Sequence, residues 1–390
     1  MYQCDLTKRR IKVKVLILTN TETYEDRAEL IRERFAKNCE VTVFSTDFLH
    51  IKKQKRESGR PDFIHLPTRP YKKNISVGRM YSHYKFAKNA FREAEKYSPD
   101  ILYVMVPANS NAYFAVKYRE KHPNVKLVLD LIDLWPESFP LKKLEWFPAF
   151  KWWRNMRDRS LAAADVIVTE CELYRTVLAD KLTGLDTVTL RLAKKAENTE
   201  KNTALPTDSI NFCYLGSVNN IIDIPRISEY VGAVAKLKPV SVHIIGKGER
   251  MDEFVSALEA VGAAVIRHGA VYDAAEKQRI FDICHLGINI MRDSVCVGLT
   301  MKSLDYFDGG LPLINSIKGD TSEFVAQYRA GFNINGISPD ELAECIAALG
   351  ADDFISMREA ALKIFCEHLS IDAFDEKFDS LERKLIGENE

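Results

Sequence analysis

The segment Gly298–Ile314 contains residue types suited to binding a diphosphate. It reads as a loop, a short helix, a glycine stop and a buried strand. Thr300, next to Leu299, can cap the helix, whose first-turn N–H groups can then meet an anion. Lys302 can neutralise phosphate, and Asp305 on the same helix face can accept hydrogen bonds from two ribose hydroxyls. The alternative is a surface Lys–Asp pair of little energetic weight.

Glycine-containing turns follow two other apolar runs, and they are candidates for the same anion site. Glycine after a strand lets the backbone approach a ligand, and the helix that follows offers N–H groups to an anion. The candidates are Gly216, Ser217, Gly246, Lys247 and Gly248, with Arg292 on a later strand as a further cation for phosphate. Because glycine is common in strand-to-helix turns, each turn taken singly is explained at least as well by local structure.

A second group of candidates lies in the first half of the chain, in Asp130–Ser138, which reads Asp-Leu-Ile-Asp-Leu-Trp-Pro-Glu-Ser. Asp133 and Glu137 follow directly after a buried strand, where substrate contacts and catalytic groups of α/β proteins collect. Trp135 is large enough to wall a pocket, and Pro136 prevents simple continuation of a helix. The alternative is that the tryptophan is core and the two acids are solvated.

An aromatic and basic segment follows and contains three of the four tryptophans. Its members are Trp146, Lys151, Trp152, Trp153 and Arg154. Rings and cations interleaved in this way suit a headgroup interface, where the rings lie at the boundary and the cations meet lipid phosphates. Core packing of the rings beneath a basic solvent face explains the same composition equally well. The segment therefore indicates either peripheral contact with an anionic membrane or an ordinary amphipathic element.

The elements that must position these residues alternate along the chain. Short β-branched runs are separated by longer amphipathic stretches, which indicates two doubly wound α/β domains with parallel sheets. The strand candidates of the first half are Val13–Leu18, Val41–Ser45, Phe63–Leu66, Ile101–Val106, Lys126–Asp130, Val166–Thr169 and Thr187–Leu190. Those of the second half are Asn211–Leu215, Val242–Ile245, Ala264–Arg267, Leu286–Ile290 and Leu311–Asn315. Because open parallel sheets bind ligands at the carboxyl ends of their strands, two facing sheets predict a cleft between them.

The chain of 390 residues divides into four parts on this reading. Residues 1–193 form the first Rossmann-like domain, 194–208 a polar linker, 209–370 the second Rossmann-like domain, and 371–390 a C-terminal helix that can pack back on the first domain. A chain of this length suits two hydrophobic cores better than one.

Composition excludes several classes of protein. Lys+Arg and Asp+Glu both number 55, so no nucleic-acid partner is expected and any membrane contact must come from a local patch. The cysteines and histidines show no zinc-ligand spacing, so no metal is expected. No uncharged apolar run approaches the roughly 18–20 residues that span a bilayer, and no secretion signal is recognisable. We expect a cytoplasmic protein with reduced thiols, with peripheral contact at the inner face of the membrane as an option.

The segment at 298–314 resembles the donor-binding helix of glycosyltransferase family four, a large retaining family. In that family a Pro/Ser-Lys-x-x-Glu-Tyr run precedes a Gly-Lys/Leu-Pro-Val-Ile strand. Asp305, Tyr306 and Gly310–Ile314 match in order, with Lys302 at the expected offset. The run at Asp130–Ser138 resembles the Asp-Leu-Trp-Pro-Glu-Ser signature of a bacterial subgroup of the capsular and exopolysaccharide type.

The resemblance implies a GT-B glycosyltransferase, with an acceptor-binding first domain and a second domain that binds a nucleotide sugar. Such an enzyme moves a hexose, with retention of configuration, from a nucleotide-diphosphate sugar to a hydroxyl of a glycan or lipid-linked saccharide in surface-polysaccharide synthesis. The expected donor is UDP-linked and no cofactor is needed beside this co-substrate. Positive charge and helix N–H groups stabilise the departing diphosphate without a metal. Catalytic roles would fall to Lys302, Asp133 and Glu137, and donor binding to Asp305 with the glycine turns.

Two departures from the family pattern keep an alternative open. Val297 stands where the family often has the first of two glutamates, and Ser217 stands in a turn that commonly supplies a phosphate-binding arginine. A catalytically silent homologue that binds and stabilises an active partner is therefore the rival interpretation.

Overall fold

The computed structural model describes residues 12–74, 76–138, 148–197, 199, 201 and 205–387. Within these residues the chain forms two parallel β-sheets and one small antiparallel ribbon. The alternation of strands and helices is that of successive βαβ units. The expectation of two doubly wound α/β domains is confirmed.

The first sheet and the ribbon lie in the N-terminal half. The strands of this half are β1 (Lys14–Leu18), β2 (Glu40–Thr46), β3 (Phe48–Leu49), β4 (Gln54–Lys55), β5 (Phe63–Leu66), β6 (Ile101–Val106), β7 (Lys126–Leu131), β8 (Val166–Thr169) and β9 (Thr187–Thr189). The sheet runs in the order β5-β2-β1-β6-β7-β8-β9, and β3 pairs with β4 in the ribbon. The central strand β6 is buried at every residue, as expected of an apolar run in a sheet covered on both faces.

The helices of the N-terminal half cross over between these strands. They are α1 (Glu25–Phe35), α2 (Val77–Ala94), α3 (Asn109–Lys121), α4 (Pro148–Leu161), α5 (Glu172–Val177) and α6 (Ala179–Leu182). Helices α5 and α6 are separated at Leu178, whose φ and ψ of −101° and 14° are not helical. Helix α4 covers most of the aromatic and basic segment, for which the sequence offered an ordinary amphipathic element as one of two interpretations.

The second sheet has six parallel strands. They are β10 (Ile210–Leu215), β11 (Val240–Ile245), β12 (Ala264–Gly269), β13 (Leu286–Asn289), β14 (Leu313–Asn315) and β15 (Gly331–Asn333). Their order is β12-β11-β10-β13-β14-β15, so β10 lies next to β13 at the point where the strand order reverses. Ligands of open α/β sheets bind in the crevice at such a point. Strand β15 is only three residues long, too short to produce a recognisable pattern in the sequence.

The helices of the C-terminal half are α7 (Ile224–Ala235), α8 (Met251–Ala260), α9 (Ala274–Asp282), α10 (Met301–Asp308), α11 (Asp320–Tyr328), α12 (Pro339–Ala348), α13 (Ala351–Ile364) and α14 (Ile371–Ile386). Helix α10 begins where Thr300 caps it and ends before Gly310, which adopts a φ of +65°. Both signals are readable in the sequence. Helix α11 was not among the predicted elements.

Helix α14 packs on the first domain rather than the second. Phe378 meets Phe35 of α1 edge to face with ring centroids 4.8 Å apart, and Asp375 pairs with Arg34 at 2.6 Å. The apolar face of α14 joins the core beneath β1 and β6. The two domains are thereby connected a second time, in addition to the polypeptide between β9 and β10. No helix in the described part of the chain is both long and apolar enough to cross a membrane.

Candidate functional site

Two glycine turns of the second domain pack against each other where β10 and β11 end. Gly216 and Gly246 have φ angles of +121° and +151°, which residues with side chains rarely adopt. A side chain on Gly246 would collide with the carbonyl of Gly216, and one on Gly248 would collide with the backbone of Val218. These glycines are therefore required by contact between neighbouring turns, which differs from the ligand approach expected from the sequence.

Lys302, in the first turn of α10, reaches back to the end of β10. Its Nζ lies 4.6 Å from the ring centroid of Tyr214, and a Cβ placed on Gly216 would lie 3.7 Å from its Cε. In the described part of the chain, no carboxylate comes within ion-pair distance of this ammonium group. Burial lowers the pKa of Lys302 to about 8. A half-buried cation without a counter-ion is a ready binding site for an anion.

The start of α10 lies beside this lysine and is capped by its own residues. The Thr300 hydroxyl accepts a hydrogen bond from the Ser303 N–H at 3.1 Å, as a capping residue does. The other first-turn N–H groups have no carbonyl one turn earlier to bond to, so they can face an anion. Leu299 and Thr300 also line a cavity between the domains. The structure thus brings Lys302, Gly216 and the start of α10 together.

Asp305 is placed in an ion-pair network that the sequence did not indicate. Its Oδ1 accepts hydrogen bonds from Lys194 at 2.7 Å and from Lys277 at 3.1 Å. Lys194 also pairs with Asp308 at 3.2 Å and with Glu197 at 2.9 Å, and these carboxylates raise its pKa despite burial. The alternative of a surface Lys302–Asp305 pair is not found, because Asp305 pairs with Lys194 and Lys277 instead. Only Oδ2 of Asp305 lacks a hydrogen bond to a described residue, so one oxygen remains for a ribose hydroxyl.

The remaining donor-site candidates lie on the exposed side of the turns. Ser217 and Lys247 are exposed, and so is Arg292. The Arg292 Nε donates to the carbonyl of Ile222 at 3.3 Å, which directs part of the guanidinium toward the chain. Lys302 is therefore the cation most closely integrated with the glycine turns.

Asp133 follows β7 and is held by two donors. Its Oδ2 accepts from Trp135 Nε1 at 2.7 Å and from the Tyr24 hydroxyl at 3.4 Å. Burial raises the pKa of this carboxyl against the opposing effect of these hydrogen bonds. Just before it, Asp130 is fully buried and receives both Arg27 Nε at 2.8 Å and the Tyr103 hydroxyl at 2.8 Å. The buried pair fixes the end of β7, on which Asp133 is carried.

Glu137 forms an ion pair with a buried arginine of α4. Its two carboxylate oxygens accept from the two terminal nitrogens of Arg157 at 2.9 and 2.8 Å. Burial works to raise the pKa of Glu137, but the hydrogen bonds and charge of Arg157 outweigh it and lower the pKa. Because Arg157 is fully buried on α4, this pair anchors α4 to the loop after β7. Glu137 thus has a structural role in this pair, and its catalytic role stays a prediction.

The aromatic and basic segment is divided between core and surface. Trp153 is 5% exposed and packs on Trp135 with ring centroids 5.6 Å apart, and Arg154 lies 3.5 Å from Glu137. Both residues are therefore removed from the expected membrane patch, because α4 turns this face toward the domain. Lys151 and Trp152 remain exposed, Trp152 by 53%. Trp146 lies outside the described residues.

A cavity of about 560 Å³ separates the two domains next to α10. Tyr24, Arg27 and Glu170 line it from the first domain, and Leu299 and Thr300 line it from the second. Glu170 follows β8 directly and is 7% exposed. Sequence reasoning missed this carboxylate, although the rule that singled out Asp133, an acid directly after a buried strand, applies to it equally.

Comparison with known sequences finds matches to part of the chain. Residues 210–352 match the sequence model of the family described as "Glycosyl transferases group 1". A stretch of 124 residues is 28% identical to chitobiosyldiphosphodolichol beta-mannosyltransferase of Yarrowia lipolytica, which is 32% of this chain and 27% of that protein. The match thus spans about a quarter of the length of this relative.

Solved structures match nearly the whole chain. Sucrose-phosphate synthase from Thermosynechococcus elongatus aligns with a TM-score of 0.66 at 14% identity, covering 96% of this chain and 99% of that one. HepE of Anabaena, solved with UDP and glucose, aligns with a TM-score of 0.64 at 13% identity over 95% and 99% of the two chains. WaaG, described as a glycosyltransferase involved in lipopolysaccharide biosynthesis, gives 0.64 at 12% identity over 96% and 100%. The protein therefore has the two-domain GT-B fold. Within that fold, its second domain is the part that matches the glycosyltransferase group 1 family.

Proposed function

We propose that this protein is a glycosyltransferase that moves a hexose from a nucleotide-diphosphate sugar to a hydroxyl of a glycan or lipid-linked saccharide. The observation that carries the proposal is Lys302, a cation without a counter-ion at the strand-order reversal of the second sheet. The family match over 210–352 supports a nucleotide sugar as the ligand of this domain. The complexes of similar structures with UDP support a UDP-linked donor.

The charge at the site suits a departing diphosphate. When the bond between the sugar and the diphosphate breaks, negative charge builds on the phosphate oxygens. Lys302 and the first-turn N–H groups of α10 supply fixed positive potential at that place, which stabilises the transition state more than the ground state. We therefore propose transfer without a bound metal, and retention of configuration in keeping with the resemblance to family four.

The acceptor enters from the first domain in this proposal. The cavity beside α10 is walled by Tyr24 and by the strand-end acid Glu170, with Asp133 bonded to Tyr24 behind them. An enclosed cleft between domains excludes water and so favours transfer to a hydroxyl over hydrolysis. The names of two similar proteins, a mannosyltransferase of a lipid-linked saccharide and a lipopolysaccharide enzyme, support a lipid-linked or surface glycan as acceptor.

Peripheral contact with an anionic membrane is proposed on a smaller surface than the sequence indicated. Trp152 and Lys151 on α4 are exposed side by side. A tryptophan ring can enter the headgroup region while the neighbouring cation meets lipid phosphate. With this contact the enzyme would work from the cytoplasm at the inner face of the membrane. No contact with nucleic acid is proposed.

The rival is a catalytically silent homologue that stabilises a partner. It is favoured by Val297 in the position of the family's first glutamate and by the lysines that occupy Oδ1 of Asp305. The two proposals differ in one simple property, because an enzyme must bind its donor.

Isothermal titration of the purified protein with UDP tests the proposal. We expect saturable binding, at least about tenfold weaker in Lys302→Ala because a charged hydrogen-bonding partner of the diphosphate is lost. Lys236→Ala is the matched control, because this lysine is 71% exposed on the same domain and pairs only with Asp340 at 3.3 Å. Release of UDP from UDP-hexoses then separates an enzyme from a silent homologue. Absence of nucleotide binding at millimolar UDP would rule out the enzyme.

A further inference from the structure

Glu170 is a buried acid with a free side chain in the cavity between the domains. It follows β8, is 7% exposed, and lines the cavity opposite Leu299 and Thr300 at the start of α10. Neither a hydrogen bond nor an ion pair reaches its carboxyl group from the described residues. Its oxygens are not sealed off from the cavity, so a ligand or water there can supply the missing hydrogen bonds.

The acids around Glu170 all have partners within the protein. Asp130 is held by Arg27 and Tyr103, and Asp133 is held by Trp135 and Tyr24. Asp320, across the domain boundary, accepts from Arg191 at 2.8 Å and from the Leu173 N–H at 3.2 Å. Glu170 therefore differs from the neighbouring acids, because their carboxylates accept hydrogen bonds from the protein and the carboxyl group of Glu170 accepts none from the described residues.

We propose that Glu170 binds a hydroxyl group of an uncharged saccharide acceptor in the cleft, an inference that rests on the proposed function. Its position across the cavity from the start of α10 holds such a hydroxyl toward the donor side. The carboxyl group contacts substrate as a binding group in this proposal and takes no part in bond breaking.

The surroundings of Glu170 favour a neutral partner. Burial and the nearby charges of Asp133, Asp130 and Asp320 raise its pKa, while Arg27, already engaged by Asp130, lowers it. A protonated carboxyl both donates and accepts a hydrogen bond, and so does a sugar hydroxyl. Lys194 and Arg27 line the same cavity, and Asp130 and Asp320 are each paired with an arginine. The preference for a hydroxyl group therefore rests on the hydrogen bonding of Glu170 itself.

Saturation-transfer NMR titrations with methyl glycosides test this role. The probes are the methyl glycosides of glucose, galactose, mannose and N-acetylglucosamine, each titrated with and without saturating UDP. We expect Glu170→Ala to weaken glycoside binding by about tenfold or more, since a buried hydrogen bond is lost. Glu170→Gln should stay within about threefold of the wild type, because its amide also donates and accepts. Glu120→Ala, whose side chain is 55% exposed on α3, is the control and should change nothing.

The outcomes separate this role from the proposed function. UDP affinity should be the same in all variants within error, which shows that the fold and the donor site are intact. Glycoside affinity in Glu170→Ala equal to the wild type would overturn the role of Glu170, and so would a wild type that binds none of the four glycosides. Failure of the wild-type protein to bind any nucleotide would contradict the proposed function instead. The role of Glu170 would then still be tested by the glycoside titrations carried out without UDP.

Discussion

Arg191 and Asp320 join the two domains through a short ion pair, with Nε of the arginine 2.8 Å from Oδ1 of the aspartate. Arg191 follows β9 of the first sheet, and Asp320 is a fully buried residue at the start of α11 in the second domain. The second carboxylate oxygen accepts from the Leu173 N–H at 3.2 Å. One carboxylate of the second domain thus satisfies two donors of the first, and the contact defines how the cleft is closed on this side.

Asp320→Ala should destabilise the protein by about 2 kcal/mol or more, because it leaves a partly buried guanidinium and a backbone N–H without acceptors. We expect the urea unfolding midpoint to fall accordingly. Asp340→Ala removes a pair whose side chains are 76% and 71% exposed, so it should cost no more than about 0.5 kcal/mol. Equal midpoints in the two variants would contradict the role of Asp320 as a domain contact.

Glu137→Ala should destabilise the protein by about 3–5 kcal/mol, since it strands the fully buried Arg157 without its main acceptor. The thermal midpoint, followed by circular dichroism, measures this loss. Replacement of both partners, as Glu137→Gln with Arg157→Met, should recover part of it because the unpaired buried guanidinium is removed, while Asp158 loses its 2.8 Å partner. Full stability with loss of UDP release in Glu137→Ala would support the catalytic role expected from the sequence instead.

Affinity for UDP should fall as the pH rises above about 8. In the protein without bound UDP, the pKa of Lys302 is about 8. Above this pH the fraction of Lys302 that is protonated, and so able to bind a diphosphate, falls by a factor that approaches about tenfold for each pH unit. Lys302→Arg should remove this dependence, because arginine stays protonated throughout the range. Titrations between pH 7 and pH 9.5 measure both proteins. The same pH dependence in the two proteins would show that another group is responsible.

Stability should decrease with rising pH on account of Glu170. Burial and the charges of Asp133, Asp130 and Asp320 raise its pKa well above the ordinary value of 4.5, outweighing Arg27. The folded state therefore binds the proton more tightly than the unfolded state does. The resulting stabilisation is complete below about pH 4.5 and is lost as the pH rises through the folded-state pKa. Glu170→Gln should unfold with a flatter pH profile between pH 5 and pH 9 in thermal scans; a profile parallel to the wild type would contradict the expectation.

Trp152→Ala combined with Lys151→Ala should reduce sedimentation with anionic vesicles at low salt, because both side chains are exposed on α4. Tyr272→Ala is the control, since this ring is 95% exposed on the second domain. Trp153→Ala is unsuitable for this purpose, because Trp153 is core and its loss should lower stability rather than membrane affinity. Unchanged sedimentation of the double variant would exclude the α4 surface as the contact.

The architecture was readable in the sequence because burial imposes a pattern on neighbouring residues. Strands such as Ile101–Val106 are continuous apolar runs, and the start and end of α10 are marked by Thr300 and Gly310. These signals are local, since a cap or a buried strand depends on residues a few positions apart. Strand β15 is only three residues long, lacked such a pattern and was missed.

The sequence alone therefore determined the two α/β domains and the segment around Lys302 that faces the cleft. The tertiary structure decided which polar groups are already satisfied, because their partners come from distant parts of the chain. Glu137 forms an ion pair with Arg157, and one oxygen of Asp305 accepts hydrogen bonds from Lys194 and Lys277. No described residue forms an ion pair with Lys302 or with the carboxyl group of Glu170. Whether a charged side chain is structural or faces a ligand depends on this pairing, and partners 20, 28 and 111 residues apart leave no local trace in a single sequence.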